Sequence, residues 1–188
     1  MTAPSTRWVF STKADGDLAI TVDPDRLTER RHVLAPHPWV WLRQVHGATV
    51  QVATHNNAAS LAGSEGDALV TAEIGLAIAV QTADCAPVLL AGEGQPGGPD
   101  ISGAAHAGWR GLVAGVIQET VVAMRGLGAT NIRAMLGPCI CPAHYEFGEP
   151  ELSEIAAVYG RVVRSTTAAG TPALDLRMAF QVACLDAG

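Results

Sequence analysis

The apolar residues of this chain come in short runs, each stopped by glycine, proline or a polar break. Residues 67–71, 76–81, 85–91 and 101–105 are such runs, dominated by Ala, Val, Ile and Leu. Runs of this length suit buried strands and are far too short to span a bilayer. These runs read as the buried strands of a sheet.

The segments between them complete the plan. Residues 7–22 read as two short strands around a turn at 14–17. Asp23 can cap, and Pro24 open, a helix through 27–34 that Pro36 and Pro38 close. A strand at 40–45 ends at His46-Gly47, and a second covers 49–53. Residues 55–65 are polar and small, a loop, and the glycine- and proline-rich 92–100 read as a flexible surface turn. In 111–124, Leu112, Val113, Val116, Ile117, Thr120, Val121 and Met124 recur in steps of three and four, one face of an amphipathic helix. A strand at 132–136, a tight loop at 137–142 and a helix at 149–159 follow. A short strand at 173–176 then leads into a further element over 177–185. Strands outnumber helices early and do not alternate strictly with them. The expected class is α+β, a single domain over 1–188 with mixed sheets.

Composition narrows the function. Hydrophobic residues are 48% of the 188 and charged ones 16%, a balance that suits a compact globular protein and argues against intrinsic disorder. Aromatics are only 5%, so aliphatic side chains and alanine must fill the core. A net charge of −6 without any basic stripe argues against a nucleic-acid partner, while a few arginines could still grip a small anion. The N-terminal stretch lacks the apolar centre of a secretory leader, and no segment reads as a membrane span, so a soluble cytoplasmic protein is expected. Cys85, Cys139, Cys141 and Cys184 are too few for a disulfide scaffold and read as thiols.

Three residues stand where an apolar run meets a break: His46, Cys85 and His106. Imidazole and thiolate are preferred zinc ligands, and three of them leave a fourth position open. Spacing alone leaves two readings, a metal site or hydrogen-bonded histidines beside a core cysteine. Residues 106–111 link a strand to a helix, where backbone N–H groups and Arg110 could face an anion or simply form a turn. Cys139 and Cys141 lie in an irregular loop and read as structural, Cys139 nearer the cleft. His144, Tyr145 and Glu146 follow and can line a pocket or cap the next element. The P-loop, the dinucleotide fingerprint and the serine-hydrolase elbow are all missing.

The segments QVHGATV, GDALVT, QTADCAPV, AAHAGWRG and LGPCICPAHYEFG, from His46 to Phe147, resemble the laccase-domain or multicopper polyphenol oxidase-like family. Its members are now described as purine nucleoside phosphorylases with adenosine deaminase activity. The resemblance implies a YfiH-like α+β sandwich flanked by helices and a zinc ion on His46, Cys85 and His106. It also implies phosphorolysis of adenosine, inosine, guanosine and methylthioadenosine, and a monomer or small homo-oligomer. Arg110 and Arg31 are then candidates for phosphate, with Gln44 and Cys139 as further substrate contacts. Asp84 and Glu146 are candidates for proton handling, and Asp84 could instead orient His46 or His106. Two departures stand out: Arg30-Arg31 replaces the family's Asn-Arg pair, and family members continue for a further C-terminal segment.

Three rival readings remain. A copper-dependent polyphenol oxidase matches the older family description, but several coppers need more than the six histidines present. A cysteine hydrolase would use Cys85 as nucleophile and His106 as base. A nucleoside-binding module would bind without turnover.

Overall fold

The computed structural model describes residues 6–188; residues 1–5, where the stretch read for a leader begins, lie outside them. Helix α1 (Pro24–Leu34) starts as expected: the Asp23 carboxylate accepts the Arg26 N–H at 3.1 Å, and proline occupies the first turn. The preceding segment differs from expectation. Residues 7–22 form no strand; Thr12 and Asp15 instead make a capping box around a 3-10 turn, Lys13–Asp15. The Thr12 N–H donates to the Asp15 carboxylate at 2.6 Å, so local side-chain bonding prevails over the alternating pattern.

Strands β1 (Trp39–Trp41) and β4 (Ala77–Ala79) form a parallel pair, while β2 (Val50–Val52) and β3 (Ala68–Thr71) enter the main sheet. With β5 (Ala86–Glu93), β6 (Ile101–Ala107) and β7 (Thr130–Leu136), that sheet has the order β2-β3-β6-β5-β7. The β2–β3 pair is parallel and the other pairs antiparallel, as a mixed sheet requires. Strand β3 is buried on both faces. Ala68 and Val70 face the main core, and Leu69 faces a smaller cluster with Val40, Leu42 and Leu76. Residues 76–81 are less buried than their composition predicts, because β4 pairs only with β1 in a two-stranded ribbon.

Short helix α2 (Ala58–Leu61) occupies the segment expected to be loop, because Ala58 and Leu61 pack into that smaller cluster. The helix expected at 111–124 is two, α3 (Trp109–Val113) and α4 (Val116–Gly126). Gly115 between them has φ 88°, a left-handed conformation that glycine adopts without steric cost. The periodicity survives the break, since Leu112, Val116, Ile117, Thr120, Val121 and Met124 are all buried. Helix α4 lies close over β6 at Gly103, where a Cβ would come 3.0 Å from the Met124 sulfur and 3.2 Å from the Leu90 Cβ. Such close approach lets a core poor in aromatics reach native density.

Helix α5 (Glu149–Tyr159) and the final helix α6 (Leu176–Ala187) complete the helical layer, joined through the hairpin β8 (Arg164–Thr166) and β9 (Pro172–Leu174). Strand β8 escaped the sequence reading because Arg-Ser-Thr carries no apolar signal. The result is the expected mixed α+β fold. Among the described residues no helix is long and apolar enough to cross a membrane.

Candidate metal centre

The antiparallel register brings the chemistry to one end of the sheet. Ala86 pairs with Ala107 and Pro87 with His106, so the residue before β5, Cys85, comes beside the end of β6. Ala68 pairs with Ala105, so the residue before β3, Asp67, comes opposite His106, and its carbonyl accepts the His106 N–H at 2.7 Å. The turn between β1 and β2 then brings in His46. One nitrogen of each histidine and the Cys85 sulfur all lie within 4.8 Å of one another. The Cys85 Sγ is 3.8 Å from His46 Nε2, and the two imidazoles meet edge to face with centroids 4.7 Å apart.

This closeness depends on backbone without side chains. A Cβ on Gly108 would lie 2.9 Å from both the Cys85 sulfur and His46 Cδ2. His46 itself has φ 60°, which costs a non-glycine residue roughly 1–2 kcal/mol.

Asp67 was not singled out from the sequence, although a charged residue opening the apolar 67–71 run was the available signal. It is fully buried. Its Oδ1 accepts the His46 N–H at 2.9 Å and faces His106 Nδ1 at 2.8 Å; its Oδ2 accepts the Gly47 N–H at 2.8 Å. The Val45 N–H adds contacts of 3.2 Å to both oxygens. The hydrogen bond to His46 or His106 that was one of two roles open to Asp84 is made instead by Asp67, and Asp84 is exposed.

Burial pushes the His106 pKa down, helped by His46 and opposed by its hydrogen bond to Asp67, which favours the neutral imidazole a metal needs. Burial, then the charges of Asp84, Asp67 and Cys139, push the Cys85 thiol up. That is opposite to what a metal-free nucleophilic thiol requires, while a cation among these donors would stabilise the thiolate. All four cysteines are free.

The other site residues divide. Arg110 stacks on Trp109, 4.4 Å from the ring centroid, and Trp109 meets Phe147, which meets Tyr145, edge to face at 5.4 and 5.1 Å. Tyr145 is within electrostatic reach of Cys85, Asp84 and Arg110, so this aromatic row lies beside the cluster. Cys139 is half-buried nearby, its thiol raised by burial and lowered by Arg177. Glu146 is exposed and pairs through its backbone with Ala173. Both ends of the Gln44 amide are engaged by Gln81: Nε2 donates to its carbonyl at 2.6 Å, and Oε1 accepts its N–H at 2.7 Å. Arg31 lies elsewhere, over the rings of Trp39 (5.5 Å) and Trp41 (5.7 Å) in the wall of a cavity of about 880 Å³. Leu89 and Ala104 place that cavity on the sheet face turned away from α4, and none of the three clustered residues lines it.

A family described as multi-copper polyphenol oxidoreductase laccase has a model that matches residues 11–188. The chain belongs to this family. Within it, a purine nucleoside phosphorylase of Streptomyces griseus is 45% identical over 167 residues, covering 87% of this chain and 65% of the relative. The purine nucleoside phosphorylase YfiH of Escherichia coli K12 is 42% identical over 131 residues, covering 67% of this chain and 51% of its own length. The chain therefore spans between half and two thirds of these relatives. Among solved structures, YlmD from Geobacillus stearothermophilus superposes with a TM-score of 0.74 at 30% identity, covering 91% of this chain and 69% of YlmD. The resemblance carried by motifs between 46 and 147 thus extends over nearly the whole chain.

Proposed function

We propose that this family member is a zinc-dependent purine nucleoside phosphorylase, acting on adenosine, inosine, guanosine and methylthioadenosine, with adenosine deaminase activity. The observation that carries the reading is the convergence of His46, Cys85 and His106 within 4.8 Å at one sheet end. Two imidazoles and a thiolate match the donor set of an open zinc site, and relatives named purine nucleoside phosphorylase supply the substrate class. Zinc held there would supply a Lewis acid with an open coordination position.

The remaining steps belong to the chain's own side chains. Arg110, fixed on Trp109, presents a guanidinium fork that grips phosphate in bidentate fashion. The row Trp109, Phe147 and Tyr145 offers aromatic surface to a purine. Cys139 forms a further wall of the cleft. The exposed carboxylates Asp84 and Glu146 take up and release protons at the leaving purine or amino group. Gln44 contributes by holding Gln81, and Arg31 offers its guanidinium to an anion from the wall of the aromatic cavity, outside the three-donor cluster.

The test is adenosine turnover with and without phosphate, on protein of measured zinc content, beside Cys85→Ala. Adenine released only with phosphate, or inosine released without it, in proportion to zinc and lost in the variant, is the expected result. Turnover that survives zinc removal overturns the reading. The family description favours one alternative, a copper oxidase of phenols. Copper in protein purified without added copper, together with phenol oxidation, would select it.

A further inference from the structure

The geometry points to Asp67 as the positioning residue of the metal centre: one buried carboxylate sets the His106 tautomer and also clamps the turn that carries His46. The inference rests on the metal reading above, but its central claim concerns the imidazole and can be read without metal.

The argument begins with acceptor capacity. An ionised carboxylate only accepts hydrogen bonds. Asp67 Oδ1 lies 2.8 Å from His106 Nδ1, so that nitrogen carries the proton and Nε2 keeps its lone pair for a ligand. The rest of the same carboxylate takes the backbone N–H groups of Val45, His46 and Gly47. Those three bonds hold a turn whose central residue, His46, is in the left-handed region at φ 60°. His46 is exposed and its ring touches the rim of the sheet, at His106, Cys85 and Gly108, while its backbone N–H is held by the Asp67 side chain. The carboxylate is the one group that bonds all three backbone N–H groups of the turn. Because Asp67 precedes β3 and pairs in register with His106, the sheet itself places the carboxylate. Partners that orient metal-bound histidines commonly contribute 10- to 100-fold in metal affinity.

Asp67→Asn is the informative change because it keeps the shape and removes one acceptor. The amide must place its N–H₂ either at the Oδ1 position, where it faces His106 Nδ1 and forces that proton to Nε2 while losing the His46 N–H, or at the Oδ2 position, where it loses the Gly47 N–H and loosens the turn.

The experiment pairs ¹⁵N NMR of the histidine tautomers in metal-free protein with cobalt(II) titration, followed by the thiolate-to-cobalt absorption band. In the wild type we expect His106 as the Nδ1–H tautomer and saturable cobalt binding. In Asp67→Asn we expect an affinity lower by about 10- to 100-fold and either an Nε2–H His106 or an altered band. A merely structural aspartate would leave tautomer and band unchanged in the folded variant. That result, with unchanged affinity, overturns the inference. If Asp67→Asn does not fold, the wild-type tautomer still decides: a predominantly Nε2–H His106 overturns it. Failure of the wild type to bind cobalt, with His106 as Nδ1–H, would instead remove the metal reading and leave the tautomer assignment standing.

Discussion

Gly108 and Cys85 face each other across the end of the β5–β6 ladder, and a methyl group on Gly108 would stand 2.9 Å from the cysteine sulfur. No real Cβ tolerates that distance, and His46 Cδ2 is equally close. The glycine of the HAGWRG segment is therefore the floor of the three-donor cluster. Gly108→Ala should lower metal affinity by at least about tenfold, by pushing Cys85 and His46 apart. The same change should move the thermal midpoint less than a core truncation does, because both displaced side chains are at the sheet rim. Metal titration beside a melting curve checks this; unchanged affinity would show that the cluster opens freely.

Metal uptake should depend on pH in a defined direction. Burial holds the Cys85 thiol above its ordinary range, so near neutrality it carries a proton that binding must displace. His106 is shifted the other way, towards its neutral form, and contributes no comparable step at that pH. Affinity should therefore rise with pH, by about tenfold per unit while the thiol is protonated. Calorimetry in buffers of different ionisation enthalpy should register a proton released on binding by the wild type that Cys85→Ala does not release. A pH-independent affinity between 6.5 and 8 would contradict the thiolate ligand.

Stability at alkaline pH should report on Cys184, on the final helix. Burial pushes its thiol from an ordinary 9.0 to about 11. The folded state thus keeps a proton that the unfolded chain gives up. This contribution is fully present below about 9 and is lost as pH rises through about 11. The wild type should lose stability relative to Cys184→Ala over that window. Denaturant unfolding of both proteins at several pH values from 8 to 11 reads the difference, and parallel curves would refute it.

Gly115→Ala tests the break between α3 and α4. The left-handed φ of 88° should cost alanine roughly 1–2 kcal/mol, although the nearest atom to a new Cβ, Gln118 Oε1, is 3.7 Å away. The measurement is the urea midpoint at unchanged slope. A stabilised variant would mean that the two helices can merge into one.

What the sequence determined by itself was whatever rests on local pattern or on one residue's chemistry. The capped start of α1, the apolar strands and the sheet-facing stripe of 111–124 all follow from spacing and from Asp23-Pro24, because period and caps act over a few residues. His46, Cys85 and His106 could be named together as candidates because the motifs resemble a family, whereas spacing alone left hydrogen-bonded histidines beside a core cysteine open; the structure brings the three within 4.8 Å. The tertiary structure decided what depends on register and on approach through space. The alternating pattern at 7–22 formed no strand, Gly115 divided one periodic stripe into two helices, and Arg31 lies in the wall of a cavity that none of His46, Cys85 and His106 lines. Asp67 shows the limit best. On the sequence it is a lone charge at the edge of an apolar run, 39 residues from His106. Only the antiparallel pairing of β3 with β6 makes them neighbours, and pairing of that range is selected by burial of the whole sheet rather than by any local signal.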